Sequence, residues 1–417
     1  MTSTAWWDSH TIVDGSGGAH LTLYDETTIY YAHCAANCGN SANWLVLPLY
    51  ETGTLASMDE PTLGVDVSGR PRLMWYANYG GDENYFYAEC NANCTSSAAN
   101  WTSVAVISSP GFFLPTPSRP RYAAIDHQGR PHLVYPMAGD PDDGFYYLTC
   151  DTGCTTQSNW QSTAVATPGL RPYVLQIALD PNGRPRVLGY ASSSNALAYA
   201  ECNSSCTTAA NWGSVGLFGP IYYSLDFSYA LRVDAQGRPR IAYYDGNANN
   251  NVLNYAWSNS APLTVGGWTS YTLNYPSNSD YWSLDLALNS QGRPSVVFAS
   301  DSLDLSYVIC TANCETASPV WQQQFIETGD ELDASYPIPI EQDCSASTWM
   351  VIGYPALALD AADSPSVSYW VRHGQLCTDI YGSPYIKYDA ESIRFATAGG
   401  GTPPPAGIKV YLPLVAR

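Results

Sequence analysis

An eleven-residue phrase, DAQGRPRIAYY at 234–244, recurs in register along the whole chain, and this recurrence restricts the fold more than any other feature. Its copies begin at Asp14, Asp66, Asp126, Asp180, Asp234, Asn289 and Asp360, at intervals of 52, 60, 54, 54, 55 and 71 residues. Such a period belongs to one supersecondary unit repeated many times, not to a series of whole domains. The phrase itself spells strand, tight turn, strand. Its Asp can accept backbone N–H groups two residues on, its Gly can take φ > 0, and its Pro sets φ where the next strand begins.

The surroundings of the phrase repeat as well. An apolar strand ends at the Asp (LGVD, QIALD, LRVD), a third strand follows the second (YFYAEC, FYYLTC, LAYAEC, LSYVIC), and a fourth opens after Asn-Trp (NWLVLPLY, NWTSVAVI, NWQSTAVA, NWGSVGLF). The alternating pattern and the abundance of Tyr, Val and Leu read as strands, and no stretch has helical periodicity. Four strands per unit and seven units predict an all-β fold, a seven-bladed β-propeller of four-stranded antiparallel blades spanning 1–397. After Thr397 the composition changes: AGGGTPPPAG at 398–407 is a Gly/Pro linker, and IKVYLPLVAR at 408–417 reads as an extra apolar β-strand tail.

Thirty-seven acidic residues against 17 basic ones leave a net charge of -20, so nucleic acid and anionic membrane surfaces are poor partners. No window reaches transmembrane length. The start, MTSTAWWDSH, has neither a basic region nor an apolar run, so it is not a signal peptide, and the expectation is that the sequence begins at or near a mature N-terminus.

Ten of the twelve cysteines form Cys-x-x-x-Cys pairs after third strands: Cys34/Cys38, Cys90/Cys94, Cys150/Cys154, Cys202/Cys206 and Cys310/Cys314. Cys344 and Cys377 remain as a sixth pair in the last unit. A zinc site needs about four N/S ligands and each unit offers two thiols, whereas a disulfide needs only that the three intervening residues curl into a turn. Local disulfides are therefore expected. An even, fully pairable set points to an oxidising compartment, extracellular or at the cell surface. Unit five lacks its pair, as a structural staple can be dispensed with and a repeated active site less easily.

Few motifs carry chemistry. The run Asp140, Asp142, Asp143 in GDPDDG is the one cation candidate, with calcium as its ion, because Ca²⁺ takes clustered carboxylate oxygens; no other cofactor is indicated. The GRP arginines Arg70, Arg130, Arg184, Arg238 and Arg293 stand once per unit at the same turn, as repeated structural ion pairs would. The six histidines share no metal-ligand spacing, and there is no GxSxG, HExxH, P-loop or Rossmann phrase.

The repeated DxxGRPRxxYY with its strand context resembles the propeller repeats of secreted bacterial proteins over about 14–397. It differs from the Asp-box of sialidase-type propellers, S-x-D-x-G-x-x-W, because here the Asp turn precedes the second strand and has no Trp at that spacing. Blade number and aromatic richness are similar to those of seven-bladed bacterial lectins. The ending VYLPLVAR after a Pro/Gly linker resembles the C-terminal tails of exported bacterial surface proteins.

The leading functional expectation is a non-enzymatic extracellular protein, a cell-surface or filament-forming subunit. It self-associates by donating its tail strand, with Ile408, Val410, Tyr411, Leu412, Leu414 and Val415 as the pairing residues. A spare apolar strand on ten linker residues, which reach about 33 Å when extended, motivates this. The alternatives are a lectin-like propeller binding glycans through Tyr and Trp, and a polysaccharide lyase or glycosidase with its site in the propeller funnel.

Overall fold

The computed structural model describes residues 6–25, 27–51, 56–79, 82–110, 121–137, 144–170, 172–191, 194–219, 229–245, 252–276, 283–299, 304–379, 381–397 and 409–411. Among these, the chain forms seven four-stranded antiparallel sheets and one short helix. The sheets follow the sequence repeats: 6–51, 56–110, 123–166, 172–216, 229–276, 284–327 and 344–411. Within each, the strands lie side by side in chain order. The first strands pack each against the next, and that of blade seven against that of blade one, so they form the inner ring of a closed seven-bladed propeller.

The Asp turn does what its residues dictate. In blade two the Asp66 carboxylate accepts the N–H groups of Ser68 at 2.8 Å and Arg70 at 3.0 Å, and Gly69 takes φ +72°. Blade seven has no Gly there, and Asp363 adopts the left-handed conformation instead, at φ 62°. The five Cys-x-x-x-Cys pairs are all disulfides: Cys34–Cys38, Cys90–Cys94, Cys150–Cys154, Cys202–Cys206 and Cys310–Cys314, with Cα–Cα distances of 5.6–5.7 Å. The residue before the second cysteine, Asn37, Asn93, Gly153, Ser205 or Asn313, is left-handed in each, and this curl brings the two cysteines together.

The repeated Trp that follows the staple joins the blades. In the first four blades its indole N–H donates to the carbonyl of the second staple cysteine: Trp44 to Cys38 at 3.0 Å, Trp101 to Cys94 at 2.9 Å, Trp160 to Cys154 at 2.9 Å and Trp212 to Cys206 at 2.8 Å. In blade five, which has no staple, Trp268 uses Pro262 at 2.8 Å. Blade six departs from the rule. No 3-10 turn precedes its Trp321, and the indole N–H does not reach Cys314 or any other acceptor among the described residues.

The Trp ring lies against a Tyr of the preceding blade: Trp101 on Tyr31, Trp160 on Tyr87, Trp212 on Tyr147, Trp268 on Tyr199 and Trp321 on Tyr255, with centroids 5.1–5.7 Å apart. Trp44 of blade one meets Phe395 of blade seven at 5.0 Å, so ring closure uses the same kind of contact as the other seams.

Blade seven differs in two ways. Its first three strands, Cys344–Leu359, Pro365–Thr378 and Pro384–Thr397, run 16, 14 and 14 residues, and the excess projects past the rim opposite the Asp turns. Its fourth strand is Lys409–Tyr411, with Arg394 opposite Tyr411 and Ala396 opposite Lys409. The tail strand is therefore the fourth strand of its own last blade, which residues 344–397 alone leave three-stranded.

Residues 328–343, between the last strand of blade six and the first of blade seven, form an insertion that contains the helix Gly329–Ser335, which the absence of a long apolar period hid. Its signal was local. Thr328 and Glu331 form a reciprocal capping box, a T-x-x-E pattern.

Candidate functional site

Because the first-to-second-strand turn and the third-to-fourth-strand staple sit at the same strand ends, every repeated polar residue gathers at one rim. There four of the five GRP arginines ion-pair with the turn aspartates, Arg70 with Asp66, Arg130 with Asp126, Arg184 with Asp180 and Arg238 with Asp234, whereas Arg293 stands at a turn headed by the neutral Asn289. The second arginine of the phrase is the more buried one and was not singled out from sequence, although GRPR is spelled in three copies. Arg72, Arg186 and Arg240 each reach the turn carboxylate and also donate to a carbonyl at the end of the third strand, that of Cys90, Cys202 or Ser258. These contacts tie the turn to the end of the third strand.

The staple cysteines themselves serve packing. Cys38 is buried with Trp44, and Cys154 is buried in the cluster that Trp160 covers, whereas Cys314 is half-buried at the rim of blade six. All twelve cysteines are consumed in six disulfides, so none offers a thiol to a metal or a substrate.

Blade one breaks the arginine pattern. The positions of the two arginines hold Gly18 and His20, and the residue opposite His20 across the strands is His33. Asp14, His20 and His33 each place a potential ligand atom within 4.8 Å of the others. His20 Nε2 is 3.2 Å from Asp14 Oδ2, and His20 Nδ1 is 2.6 Å from the Tyr31 hydroxyl. Burial holds both imidazoles below the ordinary histidine range, so they are neutral at pH 7. Asp14 is only partly buried; the hydrogen bonds it accepts from Ser16, His20 and Gly18 outweigh burial and bring its carboxyl down to about 2.

On the propeller axis, Asp285 on the inner strand of blade six accepts hydrogen bonds from Arg232 of blade five and Arg121 of blade three. The backbone N–H groups of Leu286, at 2.8 Å, and of Leu357 in blade seven, at 2.7 Å, complete its shell. Burial pushes this carboxyl above the ordinary range, against the pull of the Arg232 guanidinium and of the two N–H donors. His10 on the inner strand of blade one accepts the Leu63 N–H at 2.7 Å, and burial, assisted by the Arg232 charge, lowers its pKa to about 3.

The projecting half of blade seven is the largest non-repeating feature among the described residues. Cys344 pairs directly with Cys377 across its first two strands and is disulfide-bonded to it, the sixth pair of the sequence, and the bond pins the end of the insertion. The insertion covers one face, where Gln375 accepts the Glu341 N–H at 2.9 Å and Trp349 donates to the Tyr336 carbonyl at 2.8 Å. On the other face, Leu376 and Ile386 sit directly opposite each other and are 44% and 53% exposed. Ile340, Tyr381 and Tyr385 of the same region are exposed too, Tyr381 at 86%.

Of the residues expected to carry function, Asp140, Asp142 and Asp143 lie outside the described residues, as do Ile408, Leu412, Leu414 and Val415. Val410 and Tyr411 belong to the fourth strand of blade seven, opposite Phe395 and Arg394. No helix among the described residues is long and apolar enough to cross a membrane. The blade-one triad and the axis cluster left no motif, because their members come from different strands or different blades.

No protein-family model and no curated protein sequence matches the chain. Among solved structures, the chain is similar to a mutant of the Aleuria aurantia lectin AAL in complex with Fucalpha1-6GlcNAc, at 13% identity and TM-score 0.45, over 76% of this chain and 94% of that one. It is also similar to a mutant of the NanB sialidase from Streptococcus pneumoniae, at 11% identity and TM-score 0.46, over 94% and 68%. A third is the polysaccharide lyase Uly1, at 10% identity and TM-score 0.45, over 92% and 89%. At this distance no ligand or activity is carried over to this chain.

Proposed function

We propose that this chain is a non-enzymatic extracellular propeller that self-associates at a cell surface or into a filament through blade seven. One observation carries the reading: the apolar pair Leu376 and Ile386 lies uncovered on a disulfide-pinned projection beyond the rim. Exposed apolar side chains grouped on one feature mark contact sites. The six disulfides suit an oxidising, extracellular setting. The axis carboxylate Asp285, saturated by two arginines and two N–H groups, suits a structural plug better than a general acid or base.

This relocates the expected contact. The tail strand already has a partner in its own blade, so it competes for that edge in cis, and the projection is what remains uncovered. Light scattering on the full chain tests the reading. Wild type is expected to associate with rising concentration, and the pair Leu376→Asp, Ile386→Asp to remain monomeric with an unchanged melting temperature. A monomeric wild type, or association that survives both substitutions, sinks it.

Tyr381 supports a glycan-binding alternative, since an exposed ring can stack on a sugar face. A glycan array probed with wild type and Tyr381→Ala separates the two readings.

A further inference from the structure

We propose that the Asp14–His20–His33 cluster of blade one is a binding site for a divalent transition ion of the zinc class, in which the metal replaces the two arginines that hold the equivalent aspartate in other blades. In blades two, four and five the turn carboxylate meets two guanidiniums, as Asp66 meets Arg70 and Arg72. Blade one keeps the carboxylate, has Gly18 and His20 at the two arginine positions, and sets a second imidazole, His33, opposite His20 on the third strand.

The other blades serve as internal controls. Blade three also has a histidine at the second arginine position, His132, bonded to Tyr147 at 2.6 Å as His20 is to Tyr31. It retains Arg130 on Asp126, however, and Thr149 stands opposite His132. Blade seven has Ser364 and Ser366 at the arginine positions but no imidazole there. Among the described residues, only blade one combines a carboxylate without its arginines and a second histidine.

The geometry suits a metal. Donor atoms on one tetrahedral zinc stand about 3.4 Å apart, given Zn–N and Zn–O bonds of about 2.1 Å. His20 Nε2 and Asp14 Oδ2 are already 3.2 Å apart, and the ring centroids of the two histidines are 4.5 Å apart. Asp14 Oδ1 is held by the Ser16 N–H and hydroxyl and the Gly18 N–H, at 2.7–2.8 Å, which aims Oδ2 at the site. The Tyr31 hydroxyl oxygen can accept a hydrogen bond from His20 Nδ1–H, the tautomer that leaves Nε2 to bind, which is the outer-shell arrangement of metal-bound histidines. Two imidazoles and one carboxylate select zinc, copper or nickel over calcium, which takes oxygen ligands. Three protein ligands leave a fourth position for solvent.

The test uses the untagged full chain with its disulfides intact, stripped with EDTA and titrated with Zn²⁺ by calorimetry and with Co²⁺ by visible absorption. Binding of one ion per chain, with the intense absorption of tetrahedral Co²⁺, is expected. Two variants are built from the protein's own repeats: His33→Thr copies blade three, and Asp14→Asn copies blade six, where Asn289 accepts the same backbone N–H groups. Each should keep the apo melting temperature and weaken zinc by more than the roughly 100-fold that loss of an outer-shell partner can cost. Absence of uptake, or affinity unchanged in both variants, overturns the proposal. Should either variant fail to fold, anomalous scattering at the zinc edge from soaked wild-type crystals decides. A peak between the three side chains supports the site; a peak elsewhere, or none, overturns it.

Discussion

Arg121, immediately before the inner strand of blade three, ion-pairs with Asp285 on the inner strand of blade six, so the bridge spans the propeller axis between nonadjacent blades. With Arg232 of blade five and the Leu357 N–H of blade seven on the same carboxylate, four blades meet at one side chain.

Removing that carboxylate strands two guanidiniums at a largely buried point. Asp285→Ala is expected to cost about 3–5 kcal/mol, the range for breaking one partner out of a buried ion pair. Urea unfolding checks this; a loss below about 1 kcal/mol would place the pair in the weak, solvent-screened class.

The stability of the protein should fall on acidification below pH 6.5 in part through His10. Its folded-state pKa is near 3 against 6.5 when unfolded, so the unfolded chain takes up the proton first. The contribution is complete above pH 6.5 and is lost as pH falls toward 3, with a limiting slope of about 1.4 kcal/mol per pH unit. His10→Gln keeps an acceptor for the Leu63 N–H and removes the titration. Its urea midpoint should decline less than that of wild type between pH 7 and pH 4; parallel declines would assign the acid sensitivity to other groups.

The two kinds of disulfide should differ in worth. Chain entropy assigns about 2 kcal/mol to a five-residue Cys-x-x-x-Cys loop and about 4 kcal/mol to the loop closed by Cys344 and Cys377. Denaturation of Cys202→Ser, Cys206→Ser against Cys344→Ser, Cys377→Ser measures the difference. The second pair of substitutions should also loosen the projection and weaken any self-association.

The Trp–Tyr seams can be taken apart in steps. Trp268→Ala, which empties a buried contact with Tyr199 of the neighbouring blade, should cost about 3–5 kcal/mol. Trp268→Phe keeps a ring and loses the N–H donated to Pro262, and should cost about 1 kcal/mol. Equal losses in thermal unfolding would mean that the hydrogen bond, not the ring, joins the blades.

The amino-acid sequence by itself determined the blade. An Asp, a left-handed Gly and a Pro at fixed offsets can only make a tight turn between two strands, and three small or turn-forming residues between cysteines can only curl, as they do from Cys34 to Cys38, Cys150 to Cys154 and Cys310 to Cys314. These are short-range constraints, written in consecutive residues, and seven repetitions made the blade number legible. The position of the C-terminal strand depended on which edge was open, and blade seven, with three strands of its own, offered one. The axis cluster of Arg121, Arg232 and Asp285 was decided by tertiary structure alone, because residues more than fifty positions apart meet only when the ring closes. The same holds for the blade-one triad. His20 and His33 are scattered histidines in the sequence, and become a pair because antiparallel register sets them opposite each other, beside a carboxylate whose arginines are missing.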